Sequence, residues 1–311
     1  MLERARSIAL IFIFTAARGF ALDAPSDLTS ISVGTQPEMT FRKTVHEVRL
    51  GFHVSARNGK PVLGIQKDQV TVYQDGQAVR ALTGFYADDH QPLHLMLMID
   101  SSSSMSKGFD SEREAAAGFV RRVVHPETDR STVLAFSNRV AVISNADVSS
   151  QEALGQIEKL HSAGLTALFD SVWEAASREE KPSADPARRV LVLLTDGDDN
   201  YSRHSLNEAV AAAQSADLVV YAVTAHNPKN GEWGDLALEK LTSATGGRVF
   251  FLRKYEQPEK VFAEIEQEIR SQYTVTFHLA GSTCGYHSVS VETSDRSLRT
   301  RMRNGFYGDC S

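Results

Sequence analysis

The alternation of apolar and polar residues divides the chain into a central α/β region between two β-rich segments. The apolar strand-like runs are 93–99, 190–195 and 218–223, and the helix-like runs include 116–124, 166–177, 236–244 and 261–269. Short apolar runs bounded by turn-forming residues are typical of strands buried on both faces of a sheet. Their alternation with helices predicts βαβ units in a doubly wound, mostly parallel sheet.

Period-two alternation predicts β-strands on both sides of this region. Strands are predicted at 48–55, 70–73 and 79–86, and again from Tyr273 to Leu279, where every second residue is apolar. We expect the two β segments to form one β-sandwich into which the α/β domain is inserted. Two separate β appendages are the alternative. The predicted fold class is α/β, with a Rossmann-like sheet flanked by N- and C-terminal β segments.

The N-terminus has the pattern of an export signal. Two arginines precede a short apolar run from Ser7 to Ala17, and small residues then offer cleavage sites after Ala21 or Ala24. We interpret 1–24 as a signal peptide, with an uncleaved anchor as the alternative, and expect a periplasmic or secreted bacterial protein. After removal of the signal, no apolar stretch is long enough to predict a membrane span.

Length and composition limit the domain count and the function classes. The chain has 311 residues, and after the signal peptide we divide it into a flexible lead-in (25–40), an N-terminal β module (41–90), the α/β domain (91–270) and a C-terminal β segment (271–311) that completes the β module. A net charge of −6 without a basic stripe argues against binding to nucleic acid.

The two cysteines of the chain, Cys284 and Cys310, lie near the C-terminus. They flank two strand-like runs, 287–293 and 298–306, which we predict to pair as a hairpin. In an exported protein an even number of cysteines indicates a disulfide bond. Two free thiols in a reducing compartment are the alternative.

Polar side chains that favour a hard cation follow two of the buried strands and open one helix. Asp100, Ser102 and Ser104 follow the first apolar run, Thr166 precedes a predicted helix, and Asp196 ends the second apolar run. The carboxyl ends of parallel strands are where open α/β sheets bind ligands. Carboxylate and hydroxyl oxygens suit Mg²⁺ first, with Mn²⁺ or Ca²⁺ as alternatives. Taken singly, each residue is as easily a polar loop, a helix cap or a turn.

The order D-x-S-x-S, then Thr, then T-D-G resembles the metal-ion-dependent adhesion site (MIDAS) of von Willebrand factor A (VWA) domains. The resemblance covers about 92–270 and implies that Asp100, Ser102, Ser104, Thr166 and Asp196 hold a divalent cation. The flanks resemble an exported bacterial subfamily with β segments around the VWA domain, through Val72–Gly76 and a looser match at 289–307. The family implies that an Asp or Glu of a partner protein or peptide completes the metal shell.

Two other function classes stay open. A metal-assisted hydrolase would use the same cation to activate water, but the chain has no H-E-x-x-H, G-x-S-x-G or Walker A motif, so we expect no enzyme activity. A structural envelope component would use the metal only for stability. Phe109, Tyr201 and Trp233 are candidates for contact residues near the metal face, and packing in the core or a loop is an equally good interpretation of each.

Overall fold

The structure is a computed structural model that describes residues 47–87, 91–106, 109–125, 127–144, 155–179, 187–224, 233–252, 258–281 and 284–308. The predicted signal peptide (1–24), the lead-in (25–40) and Cys310 lie outside these residues, so the signal and the disulfide stay predictions. In the part of the chain that is described, no helix is both long and apolar enough to cross a membrane.

Strands and helices alternate through the middle of the chain, and strands dominate both ends. The strands are β1 Glu47–Ser55, β2 Val70–Gln74, β3 Gln77–Ala78, β4 Leu82–Ala87, β5 Leu93–Asp100, β6 Arg130–Phe136, β7 Val140–Ser144, β8 Arg188–Leu194, β9 Leu218–Thr224, β10 Val249–Phe251, β11 Gln272–His278, β12 Gly285–Thr293, β13 Arg299–Met302 and β14 Gly305–Gly308. The helices are α1 Phe109–Val123, α2 Leu168–Arg178, α3 Leu206–Ser215, α4 Trp233–Thr245 and α5 Pro258–Arg270.

The central sheet carries β5 in its interior. Within the described ranges the strand order is β10-β9-β8-β5-β6-β7, and all neighbours are parallel except the edge strand β7, which is antiparallel to β6. One buried cluster on this sheet includes Phe119 and Ile265, and another includes Leu168 and Leu241. Helices therefore pack on both faces, which confirms the doubly wound, mostly parallel sheet predicted from the sequence.

Strands from the two ends of the chain form a shared β-sandwich. Among the described strands, one sheet has the order β13-β1-β11-β4 and the other has the order β14-β12-β2-β3. Their inner faces share a core in which Phe52 and Tyr273 of one sheet and Val72 and Val291 of the other are buried. Because each sheet mixes N- and C-terminal strands, one sandwich forms and the alternative of two separate appendages is wrong.

Two local strand predictions are right only in part. The strand predicted at 79–86 begins only at Leu82. The C-terminal hairpin is divided, because β13 pairs with β1 in one sheet while β14 pairs with β12 in the other. Arg303 lies where the chain changes sheets, and its guanidinium donates hydrogen bonds to Asp217 Oδ1 at 2.7 Å and to the Arg49 carbonyl at 2.7 Å. These two bonds hold the Arg303 guanidinium at the crossing, which alternation alone does not reveal.

The buried carboxylate of Glu268 joins the sandwich to the last helix of the α/β domain. It lies on α5, its side chain is only 4% exposed, and it accepts hydrogen bonds from Arg248 Nε at 2.8 Å and from the guanidinium of Arg301 on β13. Arg301 also donates to the Gly246 carbonyl at 3.1 Å. Both arginines lose their main carboxylate partner if Glu268 is removed.

We expect Glu268→Ala to lower the free energy of unfolding by about 2 kcal/mol, because removing one partner of a buried ion pair leaves charge without compensation. The matched control is Glu264→Ala, one turn earlier on α5, whose side chain is 58% exposed and 3.6 Å from Arg248. That exposed pair is worth about 0.5 kcal/mol or less. Urea unfolding measures both variants, and equal losses would contradict the role assigned to Glu268.

A two-residue turn at Asp75-Gly76 fixes the hairpin between β2 and β3. Both residues have positive φ, 49° and 75°, as the favoured hairpin turn requires. The Asp75 carboxylate also accepts hydrogen bonds from the Ser288 amide at 2.9 Å and from His287 Nδ1 at 2.8 Å, both on β12. The bond from His287 is the largest cause that lowers the pKa of Asp75 to about 2.

We expect Asp75→Asn to lower the free energy of unfolding by about 1 kcal/mol at pH 7, since hydrogen bonds to the carboxylate are weakened. A carboxyl whose pKa falls on folding stabilises the protein above its unfolded value, near 3.8, and that contribution is lost as the pH falls towards 2. The difference between wild type and variant should therefore shrink between pH 5 and about pH 2. Denaturant titrations across this range measure it, with the exposed Asp68→Asn as the control.

Candidate metal centre

The five residues predicted as metal ligands lie on three loops at one end of the central sheet. Asp100 is the last residue of β5, and Asp196 follows the end of β8, its parallel neighbour. Ser102 and Ser104 are on the loop after β5, and Thr166 lies two residues before α2. The fold thus places the first aspartate and the T-D-G aspartate at adjacent strand ends.

Backbone hydrogen bonds join the three loops. The Ala163 amide donates to the Ser101 carbonyl at 2.7 Å, and the Ser103 amide donates to the Gly164 carbonyl at 3.0 Å. The loop after β8 contacts the same segment, since the Asn200 amide donates to the Thr166 carbonyl at 3.0 Å. Thr166 is therefore held between the serine loop and the T-D-G loop.

The carboxylate of Asp100 is fully buried and held by neighbouring donors. Its Oδ1 accepts from the Ser102 amide at 2.9 Å, and its Oδ2 accepts from Thr195 Oγ1 at 2.7 Å. The hydroxyl oxygens of Ser102 and Ser104 are 2.9 Å apart. The first three predicted ligands therefore form one connected group.

The pKa of Asp100 is raised to about 6, mainly by burial and in smaller part by the negative charge of Asp196. Hydrogen bonds from Ser102 and Thr195 act in the opposite direction. The two aspartates lie at the ends of adjacent strands, and like charges so placed repel each other. A cation between two such carboxylates would remove that repulsion and favour their ionised forms.

The donor set fits a hard divalent cation. Two carboxylates and three hydroxyls offer only oxygen, which is the ligand type that Mg²⁺ and Ca²⁺ prefer. Within the described ranges no three His, Cys, Asp or Glu side chains are grouped to hold a metal, so a site here needs its hydroxyl ligands. Ser104 is exposed, whereas Asp100, Ser102, Thr166 and Asp196 are buried, Asp196 the least deeply at 9% exposure. Such a site would be held from below and open on one side.

Two positioning residues were not predicted from the sequence. Thr195 donates to Asp100 and accepts from the Gly197 amide at 3.1 Å. Asn200 accepts from the Thr166 amide through its side chain at 2.9 Å. The sequence signal for Thr195 is its place directly before Asp196, and Asn200 carries no such signal. Both act across loops, which sequence spacing does not show.

The three candidate contact residues near the metal face differ in how far they are buried. Phe109 is buried in the core, so it is not a contact residue, whereas Tyr201 and Trp233 are exposed. Asp198 is exposed and its amide donates to Asp196 Oδ1 at 3.2 Å. Asp199 is partly buried and accepts from Ser202 Oγ at 2.6 Å. The Asp199 carboxylate thus supports the loop and, by accepting from the Phe169 amide at 3.4 Å, also the start of α2.

The family model of the von Willebrand factor type A domain matches residues 94–264, which is more than half of the 311-residue chain. The chain therefore belongs to the VWA family. Sites of the MIDAS type in this family bind a divalent cation. No match was found among curated proteins.

Solved structures of other proteins share the fold. Proximal thread matrix protein 1 from the mussel byssus is 18% identical over 63% of this chain and 51% of that chain, with a TM-score of 0.50. The same mussel protein with a zinc-occupied MIDAS motif is 18% identical over 63% and 49%, with a TM-score of 0.49. A von Willebrand factor type A protein from Catenulispora acidiphila is 14% identical over 86% and 74%, with a TM-score of 0.48. This chain spans about half the length of the mussel protein.

Gly197 allows the T-D-G loop to approach α4 closely. Its φ is +86°, and a Cβ there would lie 2.8 Å from the Gly234 carbonyl oxygen and 2.8 Å from Leu238 Cδ1. A side chain at this position would therefore be strained both in the backbone and against α4. Asp196, the preceding residue, depends on this approach for its position.

We expect Gly197→Ala to lower the free energy of unfolding by about 2 kcal/mol, from the left-handed backbone and the contact with Gly234 together. The control is Gly118→Ala on α1, where a Cβ meets nothing within 4 Å. Alanine stabilises an open helical position by about 0.5–1 kcal/mol relative to glycine. Thermal unfolding should shift in opposite directions for the two variants, and a neutral Gly197→Ala would contradict the close packing.

Proposed function

We propose that this protein is an exported, metal-dependent binding module whose cation takes a carboxylate from a partner protein or peptide. The observation that carries the proposal is the gathering of Asp100, Ser102 and Ser104 in one hydrogen-bonded group, with Thr166 and Asp196 on the two joined loops. Membership of the VWA family supports the same interpretation.

Charge explains why the partner group should be an Asp or a Glu. The predicted set supplies two negative charges and three neutral hydroxyls, which balance a divalent cation without excess. A metal with few anionic ligands and an open position attracts a further carboxylate from outside. Mg²⁺ is the proposed ion, with Mn²⁺ or Ca²⁺ as alternatives, because all five donors are oxygen.

Export and a disulfide bond belong to the same proposal. The N-terminal pattern of two arginines, an apolar run and small residues supports secretion to the periplasm or beyond. An oxidising compartment would favour a bond between Cys284 and Cys310. Cys284 lies directly before β12, an inner strand of its sheet, so this bond would fasten the end of the chain to the sheet.

The metal assignment predicts that Asp100→Ala loses Mg²⁺ binding by at least about 100-fold, since loss of an anionic ligand costs more than loss of a supporting residue. Calorimetric titration of the full chain with MgCl₂ measures this change, and circular dichroism checks the fold. Asp198→Ala, which removes an exposed acid from the T-D-G loop without taking a predicted ligand, should keep its affinity. An unchanged titration for Asp100→Ala would refute the site.

The same proteins separate the competing functions. Binding of an acidic peptide in Mg²⁺ that disappears with EDTA supports the binding module. If EDTA lowers the melting temperature but leaves peptide binding intact, the cation is structural. Hydrolysis of phosphoesters or peptides that depends on Asp100 would instead establish the metal-assisted hydrolase.

A further inference from the structure

Four large apolar side chains are exposed around the candidate metal centre. They are Leu165 at 47%, Tyr201 at 50%, Trp233 at 59% and Leu236 at 56% exposure. We call these four residues the apolar rim. Exposed apolar side chains that cluster around a polar site mark an interaction surface more often than isolated ones do.

The first two residues of the apolar rim lie next to Thr166. Leu165 precedes it, and the Leu165 amide donates to Asn138 Oδ1 at 2.8 Å, which fixes the backbone at this point. The Tyr201 amide donates to the Thr166 carbonyl at 3.0 Å. Both side chains therefore project from backbone that directly supports a predicted ligand.

The other two residues of the apolar rim lie on the first turn of α4. Trp233 and Leu236 are three residues apart, and residues at this spacing share one face of a helix. The close contact of Gly234 with Gly197 places this turn against the T-D-G loop. Trp233 packs its ring edge-on to Phe169 at 5.8 Å between centroids, so its position is fixed while most of it stays exposed.

We propose that the apolar rim binds a bulky apolar side chain that directly adjoins the partner's metal-binding carboxylate. The partner segment is then an extended peptide with Asp or Glu next to an aromatic or large aliphatic residue. This inference rests on the proposed function, because the carboxylate is placed by the cation. The charge of the cation selects an Asp or Glu in the partner peptide. The apolar rim selects the apolar residue next to that acid.

Exposed tryptophan and tyrosine are the residue types that most often dominate binding at such surfaces. An acid without an apolar neighbour would satisfy the cation but leave Trp233 and Leu236 in water. An apolar segment without an acid would leave the open metal position unused. A peptide that carries both groups side by side is the occupant that satisfies both halves of the surface.

Selection from a random peptide library displayed on phage tests this inference with the full chain. The library is bound in MgCl₂ and eluted with EDTA, on wild type, Trp233→Ala, Leu236→Ser and Tyr86→Ala. Tyr86 is the matched control, because it is 52% exposed but lies on β4 of the sandwich. Wild type and Tyr86→Ala should enrich Asp or Glu followed or preceded by a large apolar residue. The two rim variants should enrich the acid without a preferred neighbour.

A selected peptide and its copy with glycine in place of the apolar neighbour then give the size of the effect. We expect the glycine copy to bind wild type about tenfold more weakly, and both peptides to bind Trp233→Ala equally. If wild type enriches acids with no preferred neighbour, the inference about the apolar rim is wrong, but the proposed function stands. Peptides that lack Asp and Glu, or no enrichment in MgCl₂, would overturn the proposed function as well.

Discussion

The burial of one carboxylate at the end of the central strand is the constraint on which the site depends. β5 lies between β6 and β8, and its last residue, Asp100, is fully buried. Its charge must be met by donors inside the protein, and the Ser102 amide and the Thr195 hydroxyl occupy its two oxygens. Burial still raises its pKa to about 6, so the remaining cost is one that a cation would offset.

The loops around that carboxylate are held together by hydrogen bonds and by close packing against α4. Asn200 fixes Thr166 from both its amide and its side chain, and Gly197 lets α4 close against the T-D-G loop. At the far end of the domain, Glu268 joins α5 to β13 of the sandwich. The sandwich thus supports the last helix of the α/β domain. None of the predicted ligands lies on a strand of the sandwich.

Much of this architecture could be predicted because its signals are local. The apolar runs predicted β5, β8 and β9. Ser205 and Glu208 have the sequence spacing of a capping box, and at the start of α3 the Ser205 amide donates to the Glu208 carboxylate while the Glu208 amide donates to Ser205 Oγ. The division of the C-terminal hairpin could not be predicted. At the point of division Arg303 bonds to Asp217 and to the Arg49 carbonyl of β1, and both partners are distant in the sequence. The same holds for Thr195, whose partner is 95 residues away. The ligand set itself stays a prediction.

Around the candidate cation site, residues that support the predicted ligands lie next to exposed apolar residues. Thr166 is buried and Leu165 before it is exposed, and the Asn200 side chain supports the loop while Tyr201 after it is exposed. On α4, Gly234 packs inward beside Trp233, which faces solvent. Because the exposed residues do not contact Asp100 in the hydrogen bonds described above, substitutions among them can change the surface while the surroundings of Asp100 stay the same. One fold can thereby keep its cation chemistry while its partner changes.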